Sequence, residues 1–263
     1  MSRRWTRLGP LGIALLLAAA AACAARAPMR PAGTAQPDPT AVTAFVAATR
    51  HCRPLRTATA EIALAGRVAG DGIRARLLAG FAAPSSLRLE AVAPFGAAAL
   101  ILASNGTETT LLFPRDDQVL RDASVADVLD AITGLALTAD ELREVLFGCL
   151  ILDAATGLTF GQGWQAVESG DVRVFLKAGV VTAADYRGWL VDYSAPASGL
   201  ARTVRVRRTL ARGAIDLTAT LSQVEMNVDL PATAFVLTVP AGAAPITLDD
   251  LRASSPLAPP GAP

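Results

Sequence analysis

From about residue 57 the chain alternates apolar with polar or small positions. Ile62, Leu64 and Val68 keep one parity; Ile73, Ala75, Leu77, Ala79 and Phe81 stand against Arg74 and Arg76; Leu87, Leu89 and Ala91 stand against Arg88 and Glu90. A period of two marks strands with one buried and one wet face. Gly70-Asp71-Gly72, Pro84-Ser85, Pro94-Phe95-Gly96 and Asn105-Gly106 interrupt these runs at short intervals, which predicts antiparallel hairpins between consecutive strands. The pattern then turns helical. Ser124 and Asp127 frame one helix start beside Val125, Val128, Leu129 and Ile132, and Thr138 with Glu141 forms a capping box ahead of Leu142, Val145 and Leu146. Gly134 joins the two helices. Alternation resumes at Val172, Val174 and Leu176, continues through Trp189, Val191 and Tyr193, and is clearest where Val204 and Val206 oppose Arg205 and Arg207. Ile215, Leu217, Ala219 and Leu221 extend it, and a parity shift at Val224 and Met226 predicts a bulge or a new strand. Ahead of the first strand, Asp38 caps a helix with Pro39 at its first position; Val42, Phe45, Val46 and Thr49 share a face, and Pro54 stops it.

Helix, strands, two helices, strands: this order predicts an α+β fold in which a single large antiparallel β-sheet can curl around short α-helices. The two ends read differently. Arg3, Arg4 and Arg7 precede an apolar run from Leu8 to Ala22, too short for a stable membrane span, so residues 1–22 are expected to be a secretory signal peptide. The run ends Ala20-Ala21-Ala22-Cys23, which resembles a lipobox, and makes Cys23 the expected acylated N-terminus of the mature protein. The alternative is an ordinary signal in which Cys23 is incidental. Residues 23–37, rich in Ala, Pro, Gly and Thr, are expected to form a flexible tether. The folded domain is expected over 38–250, with a disordered Pro- and Ala-rich tail over 251–263. Lipoproteins of many Gram-negative bacteria with Asp after the acylated Cys stay in the inner membrane. Ala24 stands here, so the expected location is the outer membrane, facing the periplasm.

Charge excludes one class of partner. With 24 Lys and Arg against 23 Asp and Glu, and one His, the chain has no basic field to attract nucleic acid. Candidate chemistry is sparse. His51, Cys52 and Cys149 lack the close paired spacing of a metal motif, so no metal and no cofactor is expected. In an oxidising compartment Cys52 and Cys149 are expected to be disulfide-bonded, linking the end of the first helix to the end of the helical insert; two buried free thiols are the alternative. Gly161-Gln162-Gly163 reads as a turn, and Asp116-Asp117 and Asp249-Asp250 as solvated carboxylates without a catalytic complement. No enzyme is expected.

The element order and the lipobox resemble the LolB and LolA family over roughly residues 57–240. The likeness is sharpest at Pro94-Phe95-Gly96, Asn105-Gly106, the two short helices, Leu142-Arg143 and Leu146-Phe147-Gly148. The stretch Phe235 to Gly242 is more similar to the end of LolA than of LolB. The resemblance implies a half-barrel that binds acyl chains, a role in lipoprotein sorting or insertion at the outer membrane, and a periplasmic LolA-like carrier as partner. It also implies that Phe95, standing where LolB usually has Leu, lies in a membrane-insertion or transfer loop with Pro94 and Gly96. Candidates for the hydrophobic cavity are Ile62, Leu64, Leu77, Phe81, Leu87, Leu89, Val128, Leu129, Leu142, Val145 and Leu146. Such stripes also pack fully on one another, in which case the chain is a structural or interaction lipoprotein using the same sheet without a ligand.

Overall fold

A computed structural model describes residues 29–92, 98–194, 200–210 and 213–254. Their fold is α+β: one large, curled, unclosed sheet with helices on one face. In chain order the elements are β1 (Gln36–Pro37), α1 (Thr40–Ala48), a 3-10 turn (Arg50–Cys52), β2 (Thr57–Val68), β3 (Asp71–Ala82), β4 (Ser86–Val92), β5 (Leu100–Ser104), β6 (Thr109–Phe113) and β7 (Gln118–Leu120). Helices α2 (Val125–Thr133) and α3 (Ala139–Phe147) follow. The second wing comprises β8 (Thr156–Gly161), β9 (Trp164–Ser169), β10 (Val172–Lys177), β11 (Val180–Tyr186), β12 (Trp189–Ser194), β13 (Thr203–Leu210) and β14 (Gly213–Met226). A 3-10 turn (Ala232–Phe235), β15 (Ala244–Pro245) and α4 (Leu248–Ser254) close the chain.

Consecutive strands pair as antiparallel hairpins, as the short turn-to-turn spacing predicts. The two wings are joined by β14 pairing with β2, strands that are remote in sequence. That junction depends on Gly66, whose φ of +152° and lack of a side chain let β14 approach; a Cβ there would stand 2.0 Å from the Asp216 carbonyl oxygen. Beyond it, β14 continues through a bulge between Ser222 and Glu225, with Gln223 at φ +50°, so the parity shift near Val224 is a bulge within one strand. At the sheet's far edge β15 lies parallel to β7.

The helix termini follow from local chemistry. Ser124 accepts from the Asp127 N–H while the Asp127 carboxylate accepts from Ser124 N–H; Thr138 and Glu141 do the same for α3, and Gly134 and Gly148 end the two helices in the left-handed conformation. The Asp38 carboxylate accepts from the N–H and hydroxyl of Thr40, capping α1. The buried face of α1 differs from the expected one: Ala41 and Phe45 face the core, whereas Val46 is 40% exposed. Its sequence from Thr40 to Ala48 is apolar or small on every side, so periodicity does not single out one face, whereas α2 and α3, of equal length, carry charged residues on their outer sides.

Both expected boundaries of the domain shift. Residues 29–37, expected to be part of a flexible tether, are bound to the sheet: Gln36 and Pro37 pair with Thr159 and Leu158, and Asp38 N–H donates to the Gly157 carbonyl at 2.9 Å. The tail, expected to loosen from Leu251, is helical through Ser254, and Leu251 is fully buried where α4 packs on α2. Two leucines in a polar stretch, Leu248 and Leu251, are too few for a periodic signal, yet Leu251 is the anchor. Between β14 and β15 the chain crosses the polar face of β2–β4, where Phe235 is buried and Arg88 donates to the Ala234 carbonyl.

Candidate functional site

The buried parity of the sheet and the inner faces of α2 and α3 meet in an apolar layer. On the sheet side stand Ile62 and Leu64 of β2, Leu77 of β3, Leu89 of β4, Val204 and Val206 of β13, and Leu217 and Ala219 of β14. On the helical side stand Leu129 and Thr133 of α2, Leu135 and Leu137 of the linker, and Leu142, Val145 and Leu146 of α3. Between them is a void of about 80 Å³. Its one polar group, the Thr133 hydroxyl, donates to the Leu129 carbonyl at 2.7 Å and so asks nothing of a ligand.

Of the expected cavity residues, Ile62, Leu64, Leu77, Leu89, Leu129, Leu142, Val145 and Leu146 line the void. Phe81, Leu87 and Val128 do not; they are completely buried in solid core, Phe81 meeting Phe147 edge-on at 5.6 Å. Val204, Val206, Leu217 and Ala219 belong to the site without having been singled out. Their alternation marked them as strand, but nothing local says that β13 and β14 lie beside β2. Pro94, Phe95 and Gly96, and Cys23, lie outside the described residues.

Small-molecule sites commonly enclose roughly 300–1,000 Å³. A void this small takes an alkyl chain only if α2 and α3 lift from the sheet. Polar contacts hold α3 over it: Glu141 pairs with Arg187 of the β11–β12 turn, and Arg143 donates to the Pro84 carbonyl at 3.2 Å. Both are exposed and worth roughly 0–1 kcal/mol. The far end of α3 is held covalently, because Cys52 and Cys149 form a disulfide with Cα atoms 5.4 Å apart. His51 lies within reach, its Nε2 3.4 Å from Cys52 Sγ, but the two sulfurs are bonded to each other and offer no thiolates to an ion.

The larger hollow is of another kind. An open cleft of about 980 Å³ runs between the β5–β6 turn, the start of α2, the start of α3 and residues 235–239. Ser, Thr and Asp line much of it, and Asp127, Asp140 and Glu141 occupy the helices' first turns, so it suits water better than an alkyl chain. Gly161, Gln162 and Gly163 all have positive φ and form the β8–β9 turn, and the Asp250 carboxylate is engaged by Thr247 at the start of α4. Among the described residues no helix is long and apolar enough to cross a membrane.

No family model and no curated protein sequence matches the chain. Among solved structures it is similar to a DUF1329 family protein from Desulfovibrio piger, at 11% identity over 76% of this chain and 98% of that one, with a TM-score of 0.47. A LolA superfamily protein from Nitrosomonas europaea is similar at 11% identity, over 75% of this chain and 97% of that one, with a TM-score of 0.48. A domain described as outer membrane lipoprotein-sorting, from Vibrio parahaemolyticus, has 10% identity, 74% and 97% coverage and a TM-score of 0.36. Superpositions this loose carry no residue role or activity across. The site stands on its own geometry.

Proposed function

We propose that this protein is an outer-membrane lipoprotein, anchored through Cys23, that holds acyl chains between its sheet and helices α2 and α3 and takes part in lipoprotein sorting or insertion, as the LolB and LolA resemblance implies. The observation that carries this reading is the composition of the void: a continuous wall of Leu, Ile, Val and Ala from five strands, two helices and their linker, with its one hydroxyl already satisfied. Such a wall recognises length and apolarity alone, contributing about 0.8 kcal/mol per methylene buried. An acyl chain's methylenes take over apolar contacts that the helices give up on lifting, and the polar cost is the two exposed contacts, worth roughly 0–1 kcal/mol each. The Gly134 end of the helix pair is the end free to lift, since the disulfide fixes the other. In this reading the partners are the acyl chains of lipoproteins or lipids and a periplasmic carrier, and Phe95 in the β4–β5 connection is the group that enters a membrane interface.

A second reading, an envelope lipoprotein that uses this sheet for assembly without a ligand, is favoured by one fact: the void as it stands is too small for a lipid. Native mass spectrometry of the gently purified mature domain separates the two. Co-purifying species with masses of fatty acids or diacyl lipids are expected; a domain that stays ligand-free even after incubation with lipoprotein-bearing membranes contradicts the acyl-binding role.

A further inference from the structure

The path of the N-terminal segment fixes which side of the molecule faces its membrane. From Met29 onward the chain is bound to the outer face of the second wing, opposite the helices. The Arg30 guanidinium donates to the carboxylates of Asp185, at 3.0 Å, and Asp192, and to the carbonyl oxygens of Ala184 and Val191 at 3.0 and 3.3 Å. It also lies over the Phe175 ring, 5.8 Å from its centre. Beside it Met29 packs on Phe175, Ala166 and Ala183, and its carbonyl accepts from the Thr182 hydroxyl at 2.9 Å. A guanidinium with its donors spread over two carboxylates and two backbone carbonyls is held in position, not tethered loosely.

Only five residues, Ala24 to Pro28, separate Cys23 from Met29. Six Cα steps cannot span more than about 20 Å even fully extended. We propose that the outer face of β9–β12 is the surface this protein turns toward the bilayer that holds its acyl anchor, which leaves the apolar site on the opposite face directed away from that bilayer and open to an incoming acyl donor. This inference rests on acylation of Cys23. Most charge on the face is engaged within it: Arg173 is paired with Glu168, Arg30 and Arg207 of the neighbouring β13 with Asp192, and Lys177 donates to the Gln162 carbonyl and lies over the Trp164 ring. The short connection alone sets the orientation, so salt leaves it unchanged.

The test uses the full acylated chain in liposomes containing an acceptor dye in their headgroup layer. Single cysteines are introduced for a donor dye at Arg173→Cys and, as a second outer-face position, Leu190→Cys, and at Thr107→Cys in the β5–β6 turn near the sheet's other edge. Energy transfer several-fold higher from Arg173→Cys and Leu190→Cys than from Thr107→Cys is expected, at low and high salt alike. Inserting a flexible Gly-Ser segment between Pro28 and Met29 should bring the positions toward equality. Equal or reversed transfer in the uninserted, acylated chain overturns this inference alone. A chain that carries no acyl group, shown by metabolic fatty-acid labelling, overturns both it and the anchoring on which it rests.

Discussion

Glu144 shows how a side chain on the lid helix adjusts stability to pH. Burial on α3 raises its carboxyl above the ordinary value of 4.5, against a hydrogen bond from the Ile151 N–H that lowers it, with Asp140 and Glu141 adding repulsion. A carboxyl raised in the folded state contributes most below the unfolded value, and that contribution is lost as pH rises through the folded value. Glu144→Gln is therefore expected to raise the melting temperature at pH 7 relative to wild type, with the difference shrinking below pH 4.5; a gap that does not change between those pH values contradicts this. Asp216 works in the opposite direction, since the hydrogen bond from Arg205 lowers its carboxyl and its contribution fades as pH falls. Phe95 carries the sharpest residue-scale consequence of the functional proposal. Pro94 restricts the chain before it and Gly96 frees the chain after it, which suits an aromatic ring presented beyond the sheet. Phe95→Glu is expected to leave thermal stability nearly unchanged and to abolish transfer of bound acyl cargo to liposomes. A loss of about 3 kcal/mol or more would place the ring in the core instead.

At the scale of elements, hairpins and caps were legible because their determinants are local. Ser124, Asp127, Thr138 and Glu141 cap through side chains three residues apart, and Asn105 turns the β5–β6 hairpin by accepting from the N–H groups of Thr107 and Glu108. Strands β8, β9 and β11 were harder to read. In β9 and β11 apolar and small residues face both ways, because a second apolar cluster of Ala166, Phe175 and Ala183 on the outer face is covered by Met29, Leu158 and Phe160, and this erases the alternation. The pairing of β14 with β2 was not legible at all, being a contact between strands some 150 residues apart that only the folded sheet defines. Gly66 at that junction gives it a test. Gly66→Ala is expected to lower stability by on the order of 2 kcal/mol or more, through the clash with the Asp216 carbonyl and the positive φ. Urea unfolding curves of the two proteins check this, and coincident midpoints would mean that β14 does not approach β2 as described. The disulfide is a second element-scale constraint. Closing a loop across a sequence separation of 97, it is expected to contribute roughly 2–4 kcal/mol, seen as a lower urea midpoint after reduction.

For the molecule as a whole, the α+β class with one curled antiparallel sheet was legible from the succession of periods two and 3.6, the half-barrel came from the family resemblance, and the cavity was legible only by halves. The first-wing residues Ile62, Leu64, Leu77 and Leu89 and the helical residues Leu129, Leu142, Val145 and Leu146 were identifiable as one apolar layer; Thr133, Leu135 and Leu137 around the linker were not, and Val204, Val206, Leu217 and Ala219 joined it through a strand order that no local pattern encodes. The same geometry leaves a void of about 80 Å³ rather than a groove wide enough for a lipid, so the central claim is that α2 and α3 yield to an alkyl chain there. Photo-crosslinking with a diazirine-bearing fatty acid, followed by mapping of the adducts by mass spectrometry, tests it most directly. The account predicts adducts concentrated on Leu77, Leu89, Leu129, Leu142 and Leu146; adducts confined to the outer face of the sheet, or none above the level found on an unrelated protein, would contradict it.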